Sequence, residues 1–540
     1  MLRRARAPFR TALNVAVGVG LCVAFSVLRY GYRPPLGDGL DGAYYLQVAR
    51  QVALGHGLQT TYSVFHMALS PLPQRATTYP LLPLVMGYLA RVVPLTEAAV
   101  WLPGAAYVLS IGLCYGFLQW LTARSLPRLH WLRRTAWCAA LCSWFGLLPV
   151  YVWTSARPYT ETLANSLVLT TLWCFGLSSS ARFHTNSQHR AAFVGVGLLA
   201  GLCYLARFQL IVVPIAFVLA RAMARDRRAL GDCAWLVLGA APCLAWQAVR
   251  QLSLPNGQAY ALLDFAMYRQ RPDLPPFVYD LQFSTRTAWL FDKLHGVLVS
   301  LDPDSVDSYL VQLSYLVWLA PLGLALLAVS RIARLAKQGF PALRHDALRR
   351  PRHAALVASA WLGALAVAPL HTVHSLRWRS WAFAWRQGMP LVYLLIPIVI
   401  WLLARERRSL RFLVAVLLAL SLLICARKTE EVLERHVPTE LLQAYADVAH
   451  YLDAHAPTGG TLGMEHQSLA VFTTQPLYWL ACWSPSAFAQ GLVTALPVNR
   501  ILLRPGELRC PSLDGIRSRL HAEQSFTAHS PLMLYRIEHD

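Results

Sequence analysis

Long apolar runs separated by short basic clusters constrain this chain more than any other feature of its sequence. A helix needs roughly 17 to 25 apolar residues to cross a bilayer, and about eleven runs have that length. The predicted spans are 11–29, 98–123, 132–153, 160–179, 191–206, 208–224, 231–250, 309–331, 354–371, 388–404 and 408–425. Only 14% of the residues are charged, whereas soluble domains carry about a quarter. The sequence therefore predicts an α-helical polytopic membrane protein.

The net charge of +22 is large enough to suggest a nucleic-acid partner. The basic residues, however, lie in short clusters between apolar runs, which is the positive-inside pattern of membrane proteins and also suits anionic headgroups. We therefore expect membrane lipids, and no nucleic acid, as partners. The start of the chain resembles a secretory signal, but Arg29, Tyr30 and Gly31 follow the first apolar run without a small-x-small cleavage site. This predicts an uncleaved first span.

Arg207 decides the predicted topology, because it interrupts an apolar stretch, 191–224, that is long for one span and short for two. Two short spans place all the basic clusters on one side, whereas one span would place every later cluster outside, against the positive-inside pattern. These clusters are 1–10, 124–134, 182–190, 221–228, 331–352 and 405–411. An arginine at an outer turn also avoids the cost of a charge at mid-bilayer, about 3 kcal/mol or more. We expect a multi-pass protein of the cell (inner) membrane with a cytoplasmic N-terminus and an extracytoplasmic C-terminus.

This topology leaves large segments on the outer face: 30–97, 251–308 and the tail, with a shorter loop at 372–387. We expect a transmembrane domain over 1–425 and a small extracytoplasmic α/β domain over 426–540. Apolar residues at a period near 3.6 predict a helix at 438–455. Short apolar runs predict strands at 461–464, 469–473, 501–503 and 532–537. Cys482 and Cys510 can pair if the tail lies in an oxidising compartment.

The first outer segment carries two aspartates close to the first span, Asp38 and Asp41. Asp41 opens a predicted amphipathic helix at 42–54, whose apolar face suits a position along the membrane surface. Aspartate is a favoured helix N-cap, so Asp41 is equally well interpreted as a cap or as a catalytic base. Asp38 is the weaker candidate, because it suits a turn.

Two further polar segments are predicted on the outer face. Glu161 stands at the outer start of a span, where the helix dipole favours a solvated carboxylate; alternatively it converges with Asp41. Converging carboxylates can activate a hydroxyl as general base or hold a divalent cation. Arg377, Arg379 and Arg386 lie in the loop near 372–387, where arginine forks suit phosphate. Lipid headgroups and a specifically bound phosphate are equally good ligands for these arginines.

The order and common sidedness of several short motifs resemble the GT-C superfamily of integral-membrane glycosyltransferases, which includes protein O-mannosyltransferases and aminoarabinose transferases. The motifs are Asp41-Gly42-Ala43-Tyr44-Tyr45, Gly55-His56-Gly57-Leu58, Thr78-Tyr79-Pro80-Leu81-Leu82 after Arg75, Pro158-Tyr159-Thr160-Glu161, Gly201 to Arg207, and Arg386 to Pro390. The resemblance covers the whole chain as an architecture, and the tail resembles the small extracytoplasmic domain of many members. The family often has an acidic residue beside the aspartate of the first loop, and Gly42 stands at that position here. This departure leaves metal dependence open.

The resemblance implies transfer of a sugar from a polyprenyl-phosphate donor to a glycan, lipid or protein acceptor on the outer face. It makes Asp41 and Glu161 the catalytic candidates, with a divalent cation as a possible cofactor held by the same two carboxylates. It makes Arg207 and Arg386 candidates for the donor phosphate. The whole predicted substrate-binding set is Asp38, Tyr44, Tyr45, Tyr79, Arg207, Arg377, Arg379 and Arg386. The alternatives are a lipid or solute transporter or flippase, an oligosaccharide-lipid ligase and an inactive protein of the same fold.

Overall fold

The computed structural model describes residues 2–252 and 412–539, with gaps at 32–39, 64–71, 77–78, 126–128, 181–184, 223–227 and 430–438 and shorter ones after 416. The spans predicted at 309–331, 354–371 and 388–404 lie outside the described residues, as do Asp38, Arg377, Arg379 and Arg386.

Ten described helices precede residue 253. They are α1 Leu2–Gly31, α2 Leu40–Ala53, α3 Leu81–Leu89, α4 Leu95–Ser125, α5 Trp131–Gly146, α6 Pro149–Ser155, α7 Thr160–Ser180, α8 Asn186–Ala206, α9 Val212–Ala222 and α10 Ala229–Leu252. Four segments among the described residues are long and apolar enough to cross a membrane: Arg10–Gly31, Leu95–Arg124, Asn186–Ala206 and Ala229–Arg250. The prediction of a helical membrane protein is confirmed at this level, and the count of about eleven spans stays a prediction.

The single span predicted at 132–153 is wrong, because the chain forms two helices there. Helix α5 ends at Gly146, and α6 begins at Pro149. Proline has no amide hydrogen to continue a helical ladder, and its fixed φ suits the first turn of a new helix. Arg29 of α1 donates to the carbonyl of Ser155 at the end of α6 and to that of Val100 in α4, so the end of α6 lies near α4.

The turn predicted at Arg207 is confirmed. Arg207 has extended backbone (φ −154°, ψ 124°) and ends α8, and a short 3-10 turn at Phe208–Ile211 leads into α9. Helix α8 also packs very closely on α10, because a Cβ added at Gly197 would overlap the backbone carbonyl of Leu236. Helix–helix contacts with small residues are typical of membrane proteins.

Three charged or titratable side chains hold α8, α9 and α10 together at the end of these helices opposite to Arg207. Asp232 is 2% exposed and accepts from Arg221 Nε at 2.6 Å. Its other oxygen lies 2.7 Å from Nε2 of His189. A buried carboxylate of this kind requires partners of opposite charge, so the cluster ties three helices at one point.

The tail contributes three described helices and most of a mixed sheet. The helices are α11 Thr439–His455, α12 Leu469–Phe472 and α13 Ser486–Ala495. The strands are β1 Gln59–Thr60, β2 Tyr62–Ser63, β3 Gln74–Arg75, β4 Gly460–Met464, β5 Leu477–Leu480, β6 Val498–Leu503, β7 Leu520–Phe526 and β8 Leu532–Ile537. Among the described residues one sheet has the order β2-β5-β4-β6-β8-β7, parallel from β2 to β6 and antiparallel beyond it. The first outer segment therefore supplies an edge strand to the sheet of the tail.

The helix predicted at 438–455 and the strands predicted at 461–464, 501–503 and 532–537 are confirmed. The strand predicted at 469–473 is wrong, because these residues form α12. A short apolar run cannot be assigned to strand or buried helix by periodicity alone, and here it packs against α2 and α11. Cys482 and Cys510 form a disulfide, with Cα atoms 4.9 Å apart.

Helix α2 confirms the helix predicted after Asp41, but its apolar face does not lie against lipid. Tyr45, Val48, Ala49 and Val52 are at most 5% exposed. Tyr45, Val48 and Ala49 belong to a core shared with α3 and with the tail helices α11 and α12. The expectation that this face lies along the membrane surface is wrong, because the tertiary structure covers the face with protein.

Candidate functional site

Three predicted residues stand at the ends of three helices that meet at one place. Asp41 lies in the first turn of α2 and is half-buried, and Glu161 lies in the first turn of α7. Arg207 ends α8. The N-terminal ends of α2 and α7 carry partial positive charge, which favours carboxylates in these first turns. The helix termini thus hold the polar groups at defined positions.

Glu161 and Arg207 form a buried ion pair. Arg207 Nη1 lies 2.7 Å from Oε1 of Glu161, and the two side chains are 4% and 1% exposed. This excludes the alternative in which Glu161 is a solvated carboxylate. Two desolvated charges at this distance hold each other firmly, since either alone would remain as an uncompensated buried charge.

Tyr79 and Tyr45 complete the surroundings of this pair. The guanidinium of Arg207 lies 5.5 Å from the ring centroid of Tyr79, within the range of a cation–π contact. The ring of Tyr79 in turn meets Phe208 edge-on at 4.8 Å. Burial raises the pKa of Tyr45 well above its ordinary value, and the nearby charge of Asp41 adds to that effect. Tyr79 and Glu161 raise the same pKa further and Arg207 lowers it, so these four side chains all lie near the phenol of Tyr45.

The start of α2 touches the loop before α7 at Gly42. A Cβ added there would meet Cγ of Pro158 and Cε1 of Tyr159 at 3.4 Å, which is ordinary contact distance. A side chain at position 42 would therefore face the loop before α7. Tyr44, the remaining described member of the predicted set, packs on Tyr45 and Tyr62 at centroid distances of 6.4 and 6.3 Å.

The predicted residues that the structure describes are thus brought together: Asp41, Tyr44, Tyr45, Tyr79, Glu161 and Arg207. Asp38 and the three arginines of the later loop lie outside the described residues. Within the described part of the chain, no group of three His, Cys, Asp or Glu side chains lies close enough to hold a metal ion. A divalent cation held by Asp41 and Glu161 stays a prediction.

Sequence reasoning missed two polar residues of this region. Asn165 is fully buried on α7, one turn after Glu161, and neither end of its amide has a hydrogen-bond partner among the described residues. Its position four residues after Glu161 on the same helix face was the available signal. Tyr62 is 1% exposed and lies beside Tyr44. It had no local signal, since it follows no motif and stands on a two-residue strand.

No family model matches this chain, and no curated protein matches it in sequence. Solved membrane-enzyme structures, however, have a similar fold. ArnT from Cupriavidus metallidurans, bound to undecaprenyl phosphate, superimposes with a TM-score of 0.53 at 12% identity, covering 98% of each chain.

The oligosaccharyltransferase of Archaeoglobus fulgidus without ligands gives a TM-score of 0.53 at 12% identity over 91% of this chain and 69% of that one. The same archaeal enzyme, AglB, with an inhibitory peptide and a dolichol-phosphate gives 0.51 at 11% identity over 98% and 75%. Both enzymes are GT-C membrane glycosyltransferases. The chain therefore has the fold of the GT-C membrane glycosyltransferases.

Proposed function

We propose that this protein is a membrane glycosyltransferase that moves a sugar from a polyprenyl-phosphate donor to an acceptor on the extracytoplasmic face. The observation that carries the proposal is the convergence of Asp41 with the buried Glu161–Arg207 pair at the ends of α2, α7 and α8. A base for the acceptor and a fixed cation for the leaving phosphate are what transfer from a lipid phosphate requires.

Asp41 is the proposed general base. An acceptor hydroxyl has a high pKa and needs a base within hydrogen-bond reach as the new glycosidic bond forms. Asp41 is only half-buried, so an acceptor can approach it, whereas the side chain of Glu161 is only 1% exposed. Of the two carboxylates, Asp41 is therefore the base and Glu161 holds the arginine.

Arg207 is the proposed ligand of the donor phosphate. When the sugar leaves, negative charge develops on the polyprenyl phosphate, and a fixed guanidinium stabilises that charge. A guanidinium presents five N–H donors in a rigid fork, a geometry that suits phosphate oxygens. The stacking of Tyr79 restricts the guanidinium further.

The ligands of the neighbouring structures support a lipid-phosphate donor. ArnT was solved with undecaprenyl phosphate and AglB with a dolichol-phosphate. AglB was also solved with a tethered acceptor peptide, so glycan, lipid and protein acceptors all remain within the proposal. The main alternative is a lipid or solute transporter, which needs no base and would keep its activity without Asp41.

We also propose the topology that the charge pattern favours: about eleven spans, with the N-terminus in the cytoplasm and an α/β domain over 426–540 outside. The Cys482–Cys510 disulfide supports an oxidising compartment for the tail. The shared core of α2 with α11 and α12 requires the first outer segment and the tail to lie on the same side.

The test is glycan and lipid profiling of membranes from a deletion strain carrying the wild-type chain, Asp41→Asn or Glu97→Gln. Glu97 is a matched control, since it is an exposed carboxylate in the first turn of α4 that accepts from Trp101. We expect Asp41→Asn to lose the sugar modification while Glu97→Gln keeps it. Full modification with Asp41→Asn would refute the proposed base.

A further inference from the structure

Tyr62 carries a buried hydroxyl without a hydrogen-bond partner among the described residues. Its side chain is 1% exposed. Two other phenols that are equally buried are satisfied: Tyr107 donates to the carbonyl of Gly146 at 2.7 Å, and Tyr478 accepts from the amide of Leu72 at 3.3 Å. A buried hydroxyl without a partner destabilises a protein, so its presence here requires a reason.

The position of Tyr62 supplies that reason. Its ring lies 6.3 Å from that of Tyr44, in the core that α2 shares with the tail. Burial raises the pKa of Tyr62 well above its ordinary value, and the charge of Asp41 raises it further. The phenol therefore stays protonated at physiological pH, so it can donate a hydrogen bond but cannot act as a base. Tyr44, on which its ring packs, lies three residues after Asp41 on α2.

The backbone around Tyr62 is held from two sides. On one side the amide of Leu477 in β5 donates to the carbonyl of Thr61 at 2.8 Å, and β2 pairs with β5 in parallel. On the other side Gln47 of α2 donates to the hydroxyl of Thr61. The tail and the helix that begins near Asp41 thus fix the strand that carries Tyr62.

We propose that Tyr62 is a substrate-contacting residue whose hydroxyl donates a hydrogen bond to an oxygen of the substrate bound beside Asp41. This rests on the proposed function and assigns the α/β tail a part in it, because the tail holds the strand. The oxygen belongs either to the phosphate of the donor or to the acceptor. No bond to Tyr62 forms or breaks, and its proton stays on the phenol.

The experiment compares Tyr62→Phe with Tyr107→Phe, since each removes one hydroxyl from a fully buried ring. The full-length protein is purified in detergent for thermal unfolding, and modification is measured in the deletion strain, normalised to the amount of folded protein. We expect Tyr62→Phe to keep or raise the midpoint of unfolding and to slow modification roughly tenfold, the effect of one lost hydrogen bond to a substrate. We expect Tyr107→Phe to lower the midpoint and keep the normalised rate.

The inference is overturned if the normalised rate of modification with Tyr62→Phe lies within about twofold of wild type. It is also overturned if Tyr62→Phe loses stability as Tyr107→Phe does. Asp41→Asn separates the two hypotheses: if it abolishes modification while Tyr62→Phe does not, only the role of Tyr62 is wrong. Thermal unfolding of the purified protein with added undecaprenyl phosphate shows whether the oxygen bound by Tyr62 belongs to the donor or to the acceptor. If the phenol binds the donor phosphate, Tyr62→Phe loses the stabilisation that this lipid gives to wild type, and if it binds the acceptor, the stabilisation remains.

Discussion

Replacing Glu161 by glutamine tests the energetics of the site most directly. The substitution keeps the shape of the side chain and removes its charge, which leaves Arg207 buried at 4% exposure opposite a neutral amide. At the observed 2.7 Å, the direct attraction between the charges is about 6 kcal/mol at an effective dielectric constant near 20. Desolvation offsets part of that value, and removing one partner of a buried pair typically costs about 3–5 kcal/mol.

The measurement is a double-mutant cycle in unfolding of the purified protein, with Glu161→Gln, Arg207→Met and the double variant. We expect each single variant to lose about 3–5 kcal/mol and the double variant to lose less than the sum, since it leaves no unpaired charge. Transfer per folded molecule should be lost in Arg207→Met and in the double variant, because both lack the proposed phosphate ligand. A purely structural ion pair would instead leave transfer per folded molecule unchanged in these two variants.

The matched control is the ion pair between Arg500 and Glu523 on the tail sheet. Its atoms lie 2.9 Å apart, but the side chains are 13% and 19% exposed. Partial exposure screens the charges, so Glu523→Gln should cost about 1 kcal/mol or less and leave transfer unchanged. If Glu161→Gln costs no more than this control, the Glu161–Arg207 pair is hydrated and the assigned roles are wrong.

Three further measurements test the fold. Replacing both Cys482 and Cys510 by serine should cost roughly 3–4 kcal/mol of stability, because the disulfide closes a loop of 28 residues; an unchanged unfolding midpoint would contradict this. A periplasmic reporter fused after Arg427 should be active, and activity of a cytoplasmic reporter there would refute the span count. Asp232→Ala should destabilise the protein by about 3–5 kcal/mol, since it leaves a buried arginine unpaired, yet transfer per folded molecule should persist, and its loss would show that this cluster reaches the site.

The sequence by itself determined the features that depend on short stretches of chain. Span length follows from bilayer thickness, and the turn at Arg207 follows from the cost of placing a charge in lipid. The helix that begins near Asp41 follows from local periodicity. These arguments also predicted that Asp41, Glu161 and Arg207 lie on the same face of the membrane, because each stands at the outer end of a predicted element.

Only the tertiary structure decided which of these groups are partners. The bond between Glu161 and Arg207 depends on how α7 and α8 rotate against each other, and no pattern within one helix contains that rotation. Tyr62 reaches the site because a two-residue strand pairs with a strand of the tail, far away along the chain. Residues 469–472 form a helix rather than a strand, and this helix packs against α2 and α11. Burial of side chains between distant segments, which sequence periodicity does not record, completed the site.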